Sequence, residues 1–492
     1  YRLKLRFLGN NQLMIDLEKE IKKIKKHFNF SSDLIERRLS LGKRQGALLY
    51  LDGMINVKTI DLGLVEPLLR KGDIISSSVR ALDGIVETSE KLEYFSARNQ
   101  ALERVLVGGC LILIDGVDDY AVCSAQGFSS RPISEPPVSS VIKGPREGFT
   151  ESFKTNITLI RRRFPTGNLV FKSFTIGRYS KTHVELCYVK GIASLKVVKE
   201  IERKLKKIDI DGIVDSSYIA KLLEERKYSL FKQTGSTEKP DVLAQKLLDG
   251  RIAIIVDGSP TVLTLPFIII EDFYDSEDFY RRPIRTTVIR IMRLLGVFFA
   301  IFLPGMFVAF QSHQYQLLPL KLLVTIINST TGIPFSPVTE MLIALVLFEV
   351  LGEASVRMPR FLGMAMSVVG GIILGETAVN AGILSSLTVL ITALSSIGLY
   401  AIPDEVGTFS VIRLVFVFVG ASLGTYGILI SSVVICVYVA SLESYGVPYL
   451  VPFAPLVPKD LKNSVLKLSM VDIPNRTSSL GLKNKTRLRY DK

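Results

Sequence analysis

Around residue 288 the chain changes the solvent it is built for. Over about 280 residues charged and apolar side chains alternate as in a water-soluble protein, and then Arg281, Arg282, Arg285, Arg290 and Arg293 lead into about 150 residues of almost uninterrupted apolar sequence. The first run, residues 294–310, carries no charge, and residues 383–402 supply a second charge-free stretch of twenty. Twenty helical residues cross about 30 Å of hydrocarbon, so the sequence predicts an integral membrane protein with a large soluble domain ahead of its spans.

A net charge of +14 and a mean hydropathy of +0.33 average over those two unlike parts. Basic residues gather at 281–293 and again at Lys459, Lys462, Lys467, Lys483, Lys485, Arg487 and Arg489, on both sides of the apolar region. Positive-inside asymmetry and anionic lipid put such clusters on the cytosolic face, so the domain ahead of the spans is expected to be cytosolic. Nucleic acid is not an expected partner, because no binding motif accompanies the charge. Cys110, Cys123, Cys187 and Cys436 have no CxxC spacing, and the three histidines form no HExxH pair. Neither a disulfide framework, a metal site nor a cofactor is therefore expected, and the thiols read as reduced. The basic start lacks a secretory signal and leads to an expected helix over residues 16–27.

The soluble part repeats itself. A strand at 46–53 ends in Asp52-Gly53 and leads into a helical pattern, and a strand at 183–191 ending in Gly191 does the same. Each is followed by a second strand, 109–116 and 250–258, both closing on Asp-Gly; Gly191 stands 138 residues after Gly53, and Gly258 stands 142 after Gly116. Short apolar strands bounded by turn residues and separated by helices predict two homologous α/β lobes. Asp-Gly is also a common turn signal, so chance similarity is the competing explanation.

Between the lobes, Pro132, Pro136 and Pro137 predict an extended stretch before a basic segment, 143–163. Thr150 is the expected N-cap of its helix, and Phe153, Ile157, Ile160 and Phe164 form an apolar stripe. The other face carries Arg146, Lys154, Arg161, Arg162 and Arg163. It is either a solvated connector or a docking surface for another subunit or for the anionic membrane face. The acidic run Glu271, Asp272, Asp275, Glu277 and Asp278 lacks calcium-loop spacing and reads as a solvated link.

In the apolar half, residues 317–327 are too short to cross and read as interfacial or re-entrant. A helix then starts at Ser336-Pro337 and carries Glu340, Glu349 and Glu353, ending at Arg357. Acids in a span usually face a pore or a pairing partner; Glu349, Glu353 and Arg357 are also spaced for a ladder along one helix face. Glu376 is the single acid of a glycine-rich stretch, 361–379, and joins these as a candidate pore or gating residue. With both termini inside, an even number of crossings is required: four, or six if the Glu340 helix spans and the last apolar segment breaks. No GxSxG, P-loop or GxGxxG stands at a strand-to-helix turn, and His183, Asp52, Asp115 and Asp257 read as strand or turn residues, so an enzyme is not expected. These readings divide the chain into a basic N-terminal helix (1–34), a first α/β lobe (35–142), a basic connector helix (143–168), a second α/β lobe (169–280), an all-α multi-pass transmembrane domain of four to six helices (281–445) and a basic cytosolic tail (446–492).

Five long segments then carry a resemblance: KGPREGFTESFKTNITLIRRR (143–163), EKPDVLAQKLLDGRIAIIVDGSP (238–260), RRPIRTTVIRIMRLLGVFFAIFLPG (281–305), SVVGGIILGETAVNAGILSS (367–386) and SYGVPYLVPFAPL (444–456). Together they resemble the A subunit of the GerA family of bacterial spore germinant receptors. The resemblance implies a spore germination protein of the spore inner membrane, working with a transporter-like, nutrient-binding B subunit and a lipoprotein C subunit. It further implies a homo-oligomer forming a nutrient-gated channel for monovalent cations, without covalent chemistry. A SpoVAF-type accessory channel outside the three-subunit receptor, or a secondary transporter, is the alternative.

Overall fold

The computed structural model describes residues 15–42, 44–71, 79–86, 92–117, 119–127, 143–358, 363, 368 and 370–488. The chain forms two compact units. One holds residues up to 227 together with 234–266 and 475–487; the other holds 228–233 and 267–474, with 488–492. Pro132, Pro136 and Pro137 lie outside the described residues, as does most of 359–369.

The first unit is built on two five-stranded sheets. One contains β1 (Leu34–Leu41), β2 (Arg44–Leu51), β3 (Leu92–Phe95), β4 (Gly109–Ile114) and β5 (Tyr120–Ser124); the other contains β6 (Leu169–Ile176), β7 (Thr182–Val189), β8 (Gly235–Thr237), β9 (Ile252–Val256) and β10 (Val262–Leu265). Their strand orders, β1-β2-β4-β5-β3 and β6-β7-β9-β10-β8, are the same pattern used twice. Every pairing among these strands is antiparallel. Strand alternation explains why the central strands are apolar throughout. In β2 and β4, Leu48, Cys110, Ile112 and Ile114 face a core with Ile60, Leu64 and Leu68, whereas Ala47, Leu49, Leu111 and Leu113 face a second core with Ile21, Ile24, Leu102 and Val105. Helices on both faces leave no solvated side, hence the continuous hydrophobic runs.

The first helix, Leu17–His27, starts at Asp16, whose carboxylate accepts from the Lys19 amide, as expected for residues 16–27. Its Leu17 amide donates to Asp115 Oδ1, and Ile15 O accepts from the Gly116 amide. The helix Phe153–Arg163 repeats this attachment: the Phe153 amide faces Asp257 Oδ1 at 3.4 Å, and Glu151 O accepts from the Gly258 amide. It is therefore the opening helix of the second lobe. Ile157, Ile160 and Phe164 pack with Phe171, Cys187 and Ile255, which corrects the reading of this segment as a connector. Its N-cap is Ser152, not Thr150. The Thr150 amide and carbonyl are instead bonded to the side-chain amide of Asn156, which takes Thr150 out of the capping position.

In the second unit, Pro283–Ser312 and Pro403–Ala440 are, among the described residues, the two helices long and apolar enough to cross a membrane. The charge-free stretch 383–402 yields a shorter helix than its composition promised. Ser385 caps it with Oγ accepting from the Thr388 amide, so only Ser386–Leu399 is helical, 14 residues and about 21 Å. The interfacial segment forms the helix Leu320–Thr330, and the acid-bearing helix runs Pro337–Arg357 with Ser336 as its cap, as the sequence predicts.

The long helix breaks at Gly424, whose φ of 63° and ψ of −154° leave helical space. At one end Thr408 Oγ1 donates to Leu230 O, and at the other Tyr438 OH bonds Ser229 Oγ. Residues 408 and 438 thus reach adjacent residues of one segment, which a straight helix of that length cannot do. The element is a helical hairpin with arms of residues 406–423 and 425–440, roughly 24–27 Å each. Its tip is held by Gln314 Oε1, which accepts from the Thr425 amide.

Small residues let the first arm approach the helix Pro283–Ser312 closely. A Cβ on Gly420 would sit 2.5 Å from Gly305 O, against backbone that cannot swing away. Gly420→Ala is expected to wedge the two helices apart at a cost of about 1–3 kcal/mol, read as a fall of several degrees in the Tm of the full chain in detergent.

Candidate functional site

The acids singled out in the apolar half take different partners. Glu340 is buried, and its Oε1 accepts from the Ser385 amide at 2.6 Å, so it caps the neighbouring short helix. A carboxylate there meets the positive end of that helix. Glu353 pairs with Arg357 at 2.5 Å on an exposed face, one rung of the predicted ladder. Glu349 leaves the ladder: its Oε2 accepts from Arg413 Nη2 at 3.0 Å, across 64 positions of sequence. Glu376 is exposed within a widened helical turn, Ile373–Thr377.

The Glu349–Arg413 pair is asymmetric. The Arg413 side chain is 1% exposed and that of Glu349 51%. Arg413 Nη1 also donates to Ser395 Oγ at 3.1 Å, and Ser395 Oγ passes a hydrogen bond to Ala300 O at 2.8 Å. Three helical elements therefore meet at one guanidinium, and Ser395 links a fourth to it. Arg413 was not among the expected site residues. A lone arginine opening a long apolar run, at residues 411–440, is the available signal.

The basic set on the second lobe's first helix does not form one surface. Arg161 is fully buried: its Nε donates to Asp33 Oδ2 at 2.9 Å and its Nη2 to Asp33 Oδ1 at 2.9 Å, while the guanidinium lies 5.1 Å from the centre of the Phe171 ring. It joins the two lobes and is unavailable for docking. Arg163 reaches Glu147 at 2.6 Å and the Leu159 carbonyl, and Lys154 pairs with Asp52 at 3.0 Å. Arg146 and Arg162 are exposed.

The acidic run before the helix Pro283–Ser312 is not a solvated link. Asp278 is fully buried and accepts from Arg290 Nε at 3.1 Å and Arg293 Nη1 at 2.9 Å. Glu277 pairs with Arg281. Arg290 also donates through Nη1 to Ser464 O at 2.7 Å and covers the Tyr274 ring at 4.0 Å. The Lys467 amide donates to Thr287 Oγ1 at 3.0 Å. The acids and arginines that look like two opposed charge blocks in sequence are thus one collar around the base of the helix Pro283–Ser312. In the lobes, burial pushes the thiols of Cys110 and Cys187 up, away from the reactive thiolate.

A duplicated α/β unit followed in the chain by an apolar helical unit, with buried ion pairs at the helix bases, defines the class. The chain belongs to the GerA family: residues 22–479 match the family described as Bacillus/Clostridium GerA spore germination protein. It is 37% identical to spore germination protein KA of Bacillus subtilis, covering 96% of this chain and 88% of that one. It is 30% identical to spore germination protein GerLA of Bacillus cereus, covering 95% and 96%. It is also similar to the N-terminal domain of the A subunit of the Bacillus megaterium spore germinant receptor GerK3, at 33% identity and a TM-score of 0.41, over 51% of this chain and 94% of that one.

Proposed function

We propose that this chain is the A subunit of a nutrient-responsive germinant receptor in the spore inner membrane, and that copies of it assemble into a gated channel for monovalent cations. The reading takes the protein to be a non-enzymatic membrane component that works with a nutrient-binding B subunit and a lipoprotein C subunit. The observation that carries it is Glu349. Its carboxylate stands half exposed on the outside of an apolar helical unit while its partner Arg413 is buried. A carboxylate on such a surface needs water or a polar neighbour, which a pore or a contact with another copy supplies.

Six crossings fit this reading. The hairpin broken at Gly424 contributes two of them and Pro283–Ser312 and Pro337–Arg357 two more, while the apolar sequences 361–379 and 383–402 supply the remaining two by composition. The paired contacts Glu340–Ser385 and Glu349–Arg413 set Pro337–Arg357 alongside the rest of the unit.

Ion-flux recording of the reconstituted chain, alone and with its B subunit, tests conduction. Cation flux from the wild-type protein is the expected result, and Glu349→Gln and Glu353→Gln should each change its rate severalfold while the protein still accumulates. A silent wild type that scaffolds a conducting B subunit would remove the channel reading; unchanged flux in both variants would remove these acids from the pore.

A further inference from the structure

Residues 228–233 leave the first unit, since 227 and 234 both belong to it, and pack wholly within the second. What they touch there is specific. Ser229 and Leu230 hold Tyr438 and Thr408, one at the open end of each hairpin arm. Phe231 is buried, with its ring 6.3 Å from those of Tyr438 and Tyr449. Gln233 O accepts from Ser444 Oγ at 3.1 Å. One short segment therefore ties together both base ends of the hairpin and the turn that follows it.

Its charged residue is Lys232, and the electrostatics around it are unbalanced. Lys232 Nζ lies 2.9 Å from Asp272 Oδ2, 3.7 Å from Glu405 Oε1 and 4.0 Å from Asp404 Oδ2, with the Phe267 ring 5.4 Å away. Asp272 and Glu405 are nearly inaccessible, at 7% and 1% side-chain exposure, and Asp404 is open to water at 55%. One ammonium therefore faces three carboxylates, two of them buried, which low-dielectric surroundings tolerate poorly unless a proton joins them.

We propose that residues 228–233 are a releasable strap, clasped by Lys232 onto Asp272, Glu405 and Asp404, that holds the base of the Gly424 hairpin closed and lets go when the cluster gains negative charge. The strap gives the first unit a covalent handle on the hairpin that bypasses the helix Pro283–Ser312. It stands apart from the conduction reading, because nothing in its geometry requires a pore.

The direction of its proton dependence follows from Asp272. With the strap seated, burial pushes this carboxyl up to about 8, against the pull of Lys232 and with the help of Glu405 and Asp404. With the strap released and the site hydrated, an ordinary aspartate titrates near 4. The seated state thus holds a proton that the released state gives up between those values. Seating is strongest at low pH, weakens as pH climbs through that window and levels off above about 8.

Amide hydrogen exchange of the full chain in nanodiscs, corrected for intrinsic rates, tests this without reference to ion flux. In the wild type, protection at residues 228–233 and 441–449 should fall as pH is raised from 6 to 8. Lys232→Gln should lower that protection about tenfold or more at pH 7 and leave both sheets of the first unit unchanged. Asp272→Asn, which keeps the neutral form, should retain protection and lose its pH dependence. Unchanged protection in Lys232→Gln, or wild-type pH dependence persisting in Asp272→Asn, would overturn the clasp.

Discussion

Replacing Arg161 with alanine will open both lobes of the first unit. Arg161 and Arg413 are the largest fully buried side chains among the described residues, and the Arg161 guanidinium forks onto Asp33 through Nε and Nη2 while Nη1 donates to the Thr166 carbonyl at 2.9 Å. Removing it leaves the Asp33 carboxylate in a dry interior with Ser31 as its remaining bonded partner, at 2.6 Å. Breaking one side of such a pair costs about 3–5 kcal/mol, a large share of the roughly 5–15 kcal/mol that holds a domain folded. Thiol labelling gives a direct reading. Cys110 and Cys187 are buried in the two lobes and Cys436 is exposed in the other unit, so the wild type should label slowly at the first two and Arg161→Ala should accelerate both by about a hundredfold. Arg161→Leu with Asp33→Leu removes both charges together and should recover most of the protection; equal labelling of wild type and Arg161→Ala would show that the pair contributes nothing net.

Arg161 also shows how much of the site the sequence holds. Three consecutive arginines suggest a surface, yet a helix turns 100° per residue, and Arg161 follows Ile157 by four positions and precedes Phe164 by three. It lies on the apolar stripe, on the same side as the residues that anchor the helix, whereas Arg162 points outward. Helical phase alone separated the buried arginine from the exposed one. The doubling of the lobes was legible for a related reason. Asp-Gly turns impose a conformation that few residues accept, and Gly53, Gly116 and Gly258 have φ of 76°, 72° and 84°, so the same local chemistry recurs wherever the same strand ends.

Partnership across long distances was not legible. Glu349 meets Arg413 instead of completing its own ladder, and Lys232 meets acids 40 and 173 residues away at Asp272 and Glu405. Periodicity reports which face of an element is apolar, but a charged residue at the edge of that face looks the same whether water or a buried acid will receive it. The apolar half shows this most. Its helices are apolar nearly all round, so a break in the last apolar segment is legible only as an alternative, and neither its place at Gly424 nor the delayed helix start at Ser385 stands out from composition. The capping serine and the crowded glycines were visible as residue types, though their structural roles needed neighbouring helices.

The boundary between soluble and apolar sequence supplies the second large effect. Asp278→Ala removes the carboxylate that Arg290 and Arg293 share and leaves Arg293 only the more distant, half-exposed Asp275 at 3.6 Å; their side chains are 3% and 15% exposed, so two guanidiniums remain close together with little water to screen them. Tyr274 and the Ser464 carbonyl still hold Arg290, but neither offsets its charge fully. The expected loss is about 3–5 kcal/mol, concentrated in the collar, since the hairpin and the short helix have their own buried contacts. Because Arg290 holds Ser464 and Thr287 holds Lys467, whose ammonium also lies 5.2 Å over the Phe279 ring, that C-terminal segment should loosen first. Trypsin cleavage after Lys467 in the full chain should then rise by about a hundredfold, as proteolysis follows the population of the opened segment. Asp278→Asn keeps an acceptor for one arginine without the charge and should fall between the two. If cleavage after Lys467 is the same in Asp278→Ala as in the wild type, the collar is held by the aromatic and carbonyl contacts, and the acidic run has no part in fixing the helix Pro283–Ser312 at its base.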